Sequence, residues 1–419
     1  MNYNQTFRIY TKRVFSILIL SISLQTTATF AGNFADQSNN YGNGTEGDPY
    51  QIADLADLHY LSKNHSFWKE HFILTADIDA AETETNPDYN NGGSGFSPIG
   101  IGNNPFYGTF NGNGHIISNL YIKSDDDILG LFGEVYLKST IENLGIVNPK
   151  IIGGEYKSNS VGALIGFAYG YNERVATVRN CFVTGGSITG DENIGGVVGH
   201  ARGVNISNCY SSTNVSGTRY IGGVVGMASL DLTMSNCYSS SQVTAYQYSG
   251  ALIGVAGSYG MDVSDCFWDS ETSGVSTAGA IPRNADKSKD INTSGFVRKS
   301  NFPTWDFENI WKIGKNAWDD TFRPRLNYES ITEYTYVKTK KATDIRIYPT
   351  STKDYFWLEG KDLIGSYISI YDLSGIPVFK SSEINSEYQY NISSLNKGIY
   401  IVVISRNNYI LSSQKIIKK

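Results

Sequence analysis

The side chains able to do chemistry in this 419-residue chain are few and scattered. Five histidines, His59, His65, His71, His115 and His200, include no HExxH pair, so a helical two-histidine zinc site has no support. Gly92-Gly93-Ser94-Gly95 lacks the spacing of a nucleophile elbow and reads as a flexible turn. Asp77 and Asp79 alternate onto one strand face, and Asp125-Asp126-Asp127 is a loop run; these are the calcium candidates. Calcium takes about six to eight oxygens, and neither group has EF-hand spacing, so turn capping or solvation is the stronger reading. Polysaccharide cleavage would need convergent carboxylates, or a calcium cluster beside a base. The acids between 128 and 266 are Glu134, Glu142, Glu155, Glu173, Asp191, Glu192, Asp231, Asp262 and Asp265, and they recur at no single position. Tyr169-Gly170-Tyr171 and Tyr246 to Tyr248 offer rings for stacking on sugars where exposed, although tyrosine more often serves packing.

All four cysteines, Cys181, Cys209, Cys237 and Cys266, fall at spacings of 28, 28 and 29. An even count permits disulfides. Equivalent side chains on stacked strands point the same way, however, whereas a disulfide needs a strongly rotated dihedral. Buried thiols in a structural ladder are therefore favoured, with disulfides as the alternative. No histidine or CxxC pair accompanies them, which disfavours a metal. The preceding residues, Asn180, Asn208, Asn236 and Asp265, continue a column assigned also to Asn119 and Asn143. Such a column bonds amide to amide, or caps turns.

These spacings come from a repeat. Ile194-Gly195-Gly196-Val197-Val198-Gly199 and Ile221-Gly222-Gly223-Val224-Val225-Gly226 are near copies, with weaker ones around them. Their final glycines, Gly133, Gly166, Gly199, Gly226 and Gly254, lie 33, 33, 27 and 28 residues apart. Short apolar strands with glycine turns and no helical period predict an all-β solenoid, a right-handed parallel β-helix. Val197, Val224 and Leu252 should form one interior column, and Ile206 and Val263 another. The glycines should mark coil corners or close backbone approach. Ile52, Leu55, Leu58 and Leu61 share a three-residue spacing, as on one face of a short N-terminal capping helix. Trp305, Phe307, Trp311 and Trp318 should cover the other end.

The repeats resemble those of GLUG-motif bacterial surface proteins, best over Ile194 to Gly217 and Ile221 to Val243. Gly42 to Ile52, Phe72 to Asp79, Phe96 to Gly100, Tyr107 to His115 and Phe267 to Gly274 follow that family's pattern in order, so the resemblance covers roughly 40 to 327. Further on, Ile345 to Pro349, Ser369 to Gly375, Ile392 to Val402 and the basic end Lys415 to Lys419 resemble the type-A C-terminal sorting domain of the type IX secretion system in Bacteroidota. Tyr348-Pro349-Thr350-Ser351 departs from its usual Tyr-Pro-Asn-Pro opening. Alternating strands there independently predict a small β-sandwich. The resemblance implies type IX machinery as a partner of 341–419, passage across the outer membrane, removal of that domain, and surface attachment or release.

Arg8, Lys12 and Arg13 precede an apolar run from Val14 to Leu24 and then small residues, the layout of an export signal over 1–31. That run is too short to span a bilayer, and no anchor is expected after cleavage. The chain then divides into 32–127, cap and first coils; 128–275, repeats; 276–340, second cap and linker; and 341–419, sorting domain. The net charge is −6 overall. Removing the three excess basic residues of 1–31 and the three of 341–419 leaves −12 on the body, which repels nucleic acid and offers no lipid patch. The expected product is a secreted or outer-membrane-surface protein, adhesin-like and non-enzymatic, binding a glycan or host protein. A carbohydrate-active β-helix enzyme is the alternative, and an architectural surface or biofilm component a third reading. No cofactor beyond the calcium candidates is indicated.

Overall fold

The computed structural model describes residues 41–154, 160–282, 285–333, 338–339, 345–360, 363–373, 377–384, 389–406 and 409–419. The export signal at 1–31 and the acid Glu155 lie outside the described residues. The chain forms two compact units that divide between Thr332 and Glu333.

The first unit contains a parallel β-helix of about five turns. Apolar residues one coil apart stand in register along its ladders. One ladder runs through Phe72, Phe110, Ile141, Val178, Ile206, Met234 and Val263. A second takes Ile117, Ile146 and Val183, and a third Ile122, Ile151, Ile188, Val215 and Val243. Leu131, Leu164, Val197, Val224 and Leu252 form a further interior column, and all of these side chains are buried in one core. Full burial of each aliphatic side chain contributes roughly 1.5–3 kcal/mol, which is why near-identical apolar segments repeat at coil spacing.

Corners and close approaches fall to different residues. Asn143, Asn180, Asn208, Asn236 and Asp265 turn one corner, each with φ between 51° and 53°. Asn and Asp tolerate this left-handed conformation because a short polar side chain bonds locally. The repeat glycines serve close approach, one of the two roles expected of them. A Cβ on Gly196 would lie 2.1 Å from Ser211 Oγ and 2.2 Å from the Gly223 carbonyl oxygen, so successive coils could not come together. At Gly133, Gly166, Gly199, Gly226 and Gly254 it would meet a neighbouring atom at 2.4–2.6 Å.

The two ends are finished by different means. At the first, the helix Leu55–Lys63 buries Leu58 and Leu61 in the same core as Ile52 and Phe72. Asp54 caps it by accepting from Asp57 N at 2.9 Å, while Asp57 accepts from the N–H of Ala53, the residue before the cap, at 3.0 Å. Ile52 belongs to the preceding strand Tyr50–Ile52 and not to the helical face. At the other end the last rung is Asp286–Ile291, whose Asp286, Lys287, Lys289 and Asp290 make a charged edge that discourages pairing with other chains. The tryptophans expected there lie elsewhere: Trp305 and Trp311, with Phe307 and Trp318 packed beside them, cover the side of the stack.

The second unit has two sheets around one core. Arg346–Tyr348, Tyr355–Glu359 and Gln389–Asn391 form one. Tyr367–Tyr371, Pro377–Glu383, Gly398–Arg406 and Tyr409–Lys418 form most of the other. Ile347, Phe356, Ile368, Val402 and Ile416 share the core between them.

Candidate ligand-binding face

The predicted ladder residues come together, but as an internal spine. Each thiol is buried and free. Cys181 Sγ donates to the Arg179 carbonyl at 3.3 Å, and Cys209 and Cys237 repeat that bond to Ser207 and Ser235, each at 3.2 Å. Cys266 does the same to Ser264 at 3.3 Å. Burial pushes the Cys181 and Cys237 thiols well up, away from the reactive thiolate. Beside them Asn143 Nδ2 donates to Asn111 Oδ1 at 3.1 Å, Asn180 to Asn143 at 2.9 Å and Asn208 to Asn180 at 3.0 Å. Asn119 is not in this column. It turns a different corner, with Asn148 one coil on, and donates to Asp79 Oδ1 at 2.9 Å.

The calcium candidates are engaged by their neighbours. Asp77 Oδ1 accepts from His115 Nδ1 at 3.0 Å and Ile116 N at 3.1 Å; Asp79 Oδ1 also accepts from Ala81 N at 3.1 Å. Among the described residues no group of three or more His, Cys, Asp or Glu side chains could hold a metal.

Two aromatic ladders flank the stack, and the sequence pattern separates neither. One follows the cysteines: Phe182, Tyr210 and Tyr238 stack at 5.2 and 4.8 Å with interplanar angles of 6° and 9°, and Phe267 continues the register. The segment containing Phe296, Phe302, Trp305, Trp311 and Leu326 covers it completely. That segment also brings charge inside. Arg325 Nη1 donates to Tyr210 Oη at 3.0 Å, and Tyr210 Oη donates to Glu329 Oε2 at 2.8 Å. Arg325 Nη2 pairs with Asp319 Oδ2 at 2.6 Å, and Arg323 with buried Asp269 at 2.6 Å. Burial pushes Asp319 up, but Arg325, the Thr321 N–H and Arg323 outweigh it and hold the carboxyl below its ordinary value. Burial leaves Glu329 raised despite Arg325 and Tyr210. The recurring aromatic after each cysteine was the available signal for this ladder.

The second ladder is open. On Phe132–Tyr136, Ile165–Tyr169 and Val198–Ser207, Val135, Ala168 and Ala201 point into the core. Alternation then turns Glu134, Phe167 and His200 outward in one row and Tyr136, Tyr169 and Arg202 in the next. Tyr107 adds a ring 6.0 Å from Tyr136, Tyr136 lies 5.0 Å from Tyr169, and the Arg202 guanidinium sits 5.3 Å above Tyr169. Phe167 meets His200 at 4.9 Å. Burial and Arg202 push His200 down to about 4, so it is neutral near pH 7, and its Nε2 lies 2.9 Å from Ser229 Oγ.

A depression borders this stripe on each side. One, of 750 Å³, is lined by Lys138, Tyr169, Tyr171, Glu173 and Arg174, with Tyr171 59 % exposed. The other, of 710 Å³, is lined by Lys63, His65, Trp68, Asp126, Asp127 and Glu134. Lys63 Nζ donates to Ser97 Oγ at 2.6 Å, and burial lowers its affinity for a proton. Burial raises Glu134 more than its bond with Tyr136 lowers it. Tyr246 and Tyr248, the other predicted stacking residues, are exposed at a separate corner where Tyr248 stacks on Tyr220 at 5.4 Å.

Residues 157–189 match the GLUG motif, and residues 346–419 match the secretion system C-terminal sorting domain. The chain carries a GLUG repeat and a type IX sorting domain. The GLUG match spans the coil from the rung Ser160–Gly162 through Cys181 to Thr189, and so includes the Tyr169–Tyr171 segment. The sorting domain implies interaction with the type IX machinery, export, and a cell-surface or extracellular location. No helix among the described residues is long and apolar enough to cross a membrane. Over 162 residues, 38 % of its length, the chain is 39 % identical to halomucin of Haloquadratum walsbyi, of which it covers 2 %. Over 140 residues, 32 % of its length, it is 35 % identical to a "Putative Gly-rich membrane protein" of Evansella cellulosilytica, of which it covers 15 %. The chain thus spans a small fraction of either relative. No solved structure matches it.

Proposed function

We propose that the exported coil body is a non-enzymatic, adhesin-like module that binds an extracellular glycan along the open aromatic face. The observation that carries this reading is the row of rings Tyr107, Tyr136 and Tyr169, one per coil, left uncovered where the opposite ladder is covered. Rings recurring once per coil, 6.0 and 5.0 Å apart, make a continuous aromatic strip against which the apolar faces of sugar rings can pack. Screening the mature protein against immobilised glycans and matrix proteins tests it: saturable glycan binding is expected, and blank glycan surfaces would reject it.

Hydrolysis is the second reading, favoured only by Glu134, whose carboxyl is raised by burial in a cleft that Asp126 and Asp127 also line. New reducing ends from a polysaccharide, abolished by Glu134→Gln, would establish it in place of simple binding.

A further inference from the structure

The open face also selects by charge. Cations on the coils are commonly matched by an acid one or two coils away: Lys150 by Glu84, Arg179 by Glu142, Arg219 by Glu192 and Lys287 by Asp262. Arg202, Lys138 and Arg174 form no ion pair among the described residues, and all three border the aromatic row. Lys138 and Arg174 are exposed, and Arg202 is half-buried over Tyr169. The acids nearby do not cancel them. Glu134 is turned into the other cleft and bonded to Tyr136, and Glu173, the one acid lining the depression with Lys138 and Arg174, offsets a single charge of the three. His200 adds no charge near neutral pH.

The turn itself is built to present these groups. Tyr171 and Arg174 form an isolated antiparallel bridge across Asn172, which takes a φ of 54°. Lys138 and Leu137 occupy the same corner one coil earlier, also with positive φ. Asn172 tolerates that conformation through its short polar side chain, whereas Leu137 and Lys138 adopt it at a cost in backbone strain. A small cationic, aromatic site thus stands on a body whose net charge is −12, and the surrounding field would repel a polyanion everywhere else.

Resting on the glycan reading above, we infer that the ligand is an acidic polysaccharide, its sugar rings lying along Tyr107, Tyr136 and Tyr169 and its anionic groups meeting Arg202, Lys138 and Arg174. Guanidinium groups suit carboxylate and sulfate alike because their donors form a planar fork. A charge-assisted contact of this kind also weakens as salt is raised.

The test is calorimetric titration of the mature full-length protein with polygalacturonate and dextran sulfate, which separate carboxylate from sulfate as the recognised anion, and with cellohexaose and xylan as neutral comparators. Saturable binding of at least one acidic probe, stronger than either neutral one, is expected. Arg202→Gln should weaken it about tenfold, the loss of one charge-assisted hydrogen bond. Lys138→Gln with Arg174→Gln should weaken it by a similar factor, with an unchanged melting temperature. Preference for the neutral glycans would overturn the charge inference and leave the glycan reading standing. Binding of no glycan would overturn both. Acidic binding that none of these substitutions alters would overturn the assignment of the site.

Discussion

The two aromatic ladders start from the same device and end in opposite states. Phe182, Tyr210 and Tyr238 rise one per coil on one flank, as Tyr107, Tyr136 and Tyr169 do on another. The first is sealed beneath the segment from Phe296 to Glu329, which brings Arg323, Arg325 and Glu329 inside with it. The second meets solvent. Aromatic ladders in a solenoid therefore do not announce their role; a segment outside the repeat decides which one supports the fold and which stays available.

The covered ladder should be the costly one to disturb. Replacing Arg325 with Ala leaves buried Glu329 without its counter-charge and half-buried Asp319 with Arg323 alone, and a loss of about 3–5 kcal/mol is expected in denaturant unfolding. Loss within experimental error would mean that the cap does not hold the flank. Tyr210→Phe keeps the stack but removes the hydroxyl that joins Arg325 to Glu329. It should cost roughly 1–3 kcal/mol, the penalty for buried partners left unpaired.

Acid sharpens the same point. Asp319 has a lowered folded pKa, so its contribution is present above the ordinary Asp range and disappears as pH falls through and below that range. Glu329 is raised, so its contribution has the opposite sign: present below its unfolded value and lost as pH rises through its folded one. The pH dependence of stability should therefore be compared between the native sequence and Asp319→Asn, measured from about pH 6 to pH 3. The native sequence should lose more across that window. Parallel curves would remove Asp319 from the account.

The spine is the subtlest case. Four thiols, all buried and free, should escape a thiol reagent in the folded protein and react in unreduced denaturant. Finding none in denaturant would replace the ladder by disulfides.

The fold was legible because coil packing demands similar apolar residues at each rung, and Ile194 to Gly199 and Ile221 to Gly226 are almost the same text. What was misread shares one physical origin: local sequence reports local conformation but not which corner or flank it occupies. Ile117-Ser118-Asn119-Leu120 and Ile141-Glu142-Asn143-Leu144 look alike because both end a strand with a left-handed residue, yet they turn different corners. The terminal tryptophans signalled cover without saying what they cover. On the open face, Tyr169 and Tyr171 were visible as candidates, whereas Tyr107, Tyr136 and Arg202 join them only through coil register.

The most direct test sets Tyr169→Ala beside Tyr210→Phe and measures the affinity of each for an acidic polysaccharide, together with its melting temperature. Tyr169→Ala should bind about tenfold more weakly with a melting temperature close to that of the native protein. Tyr210→Phe should melt lower and bind normally while folded. If Tyr169→Ala keeps full affinity, or if Tyr210→Phe loses it while still folded, the division between a covered ladder that supports and an open ladder that binds is wrong.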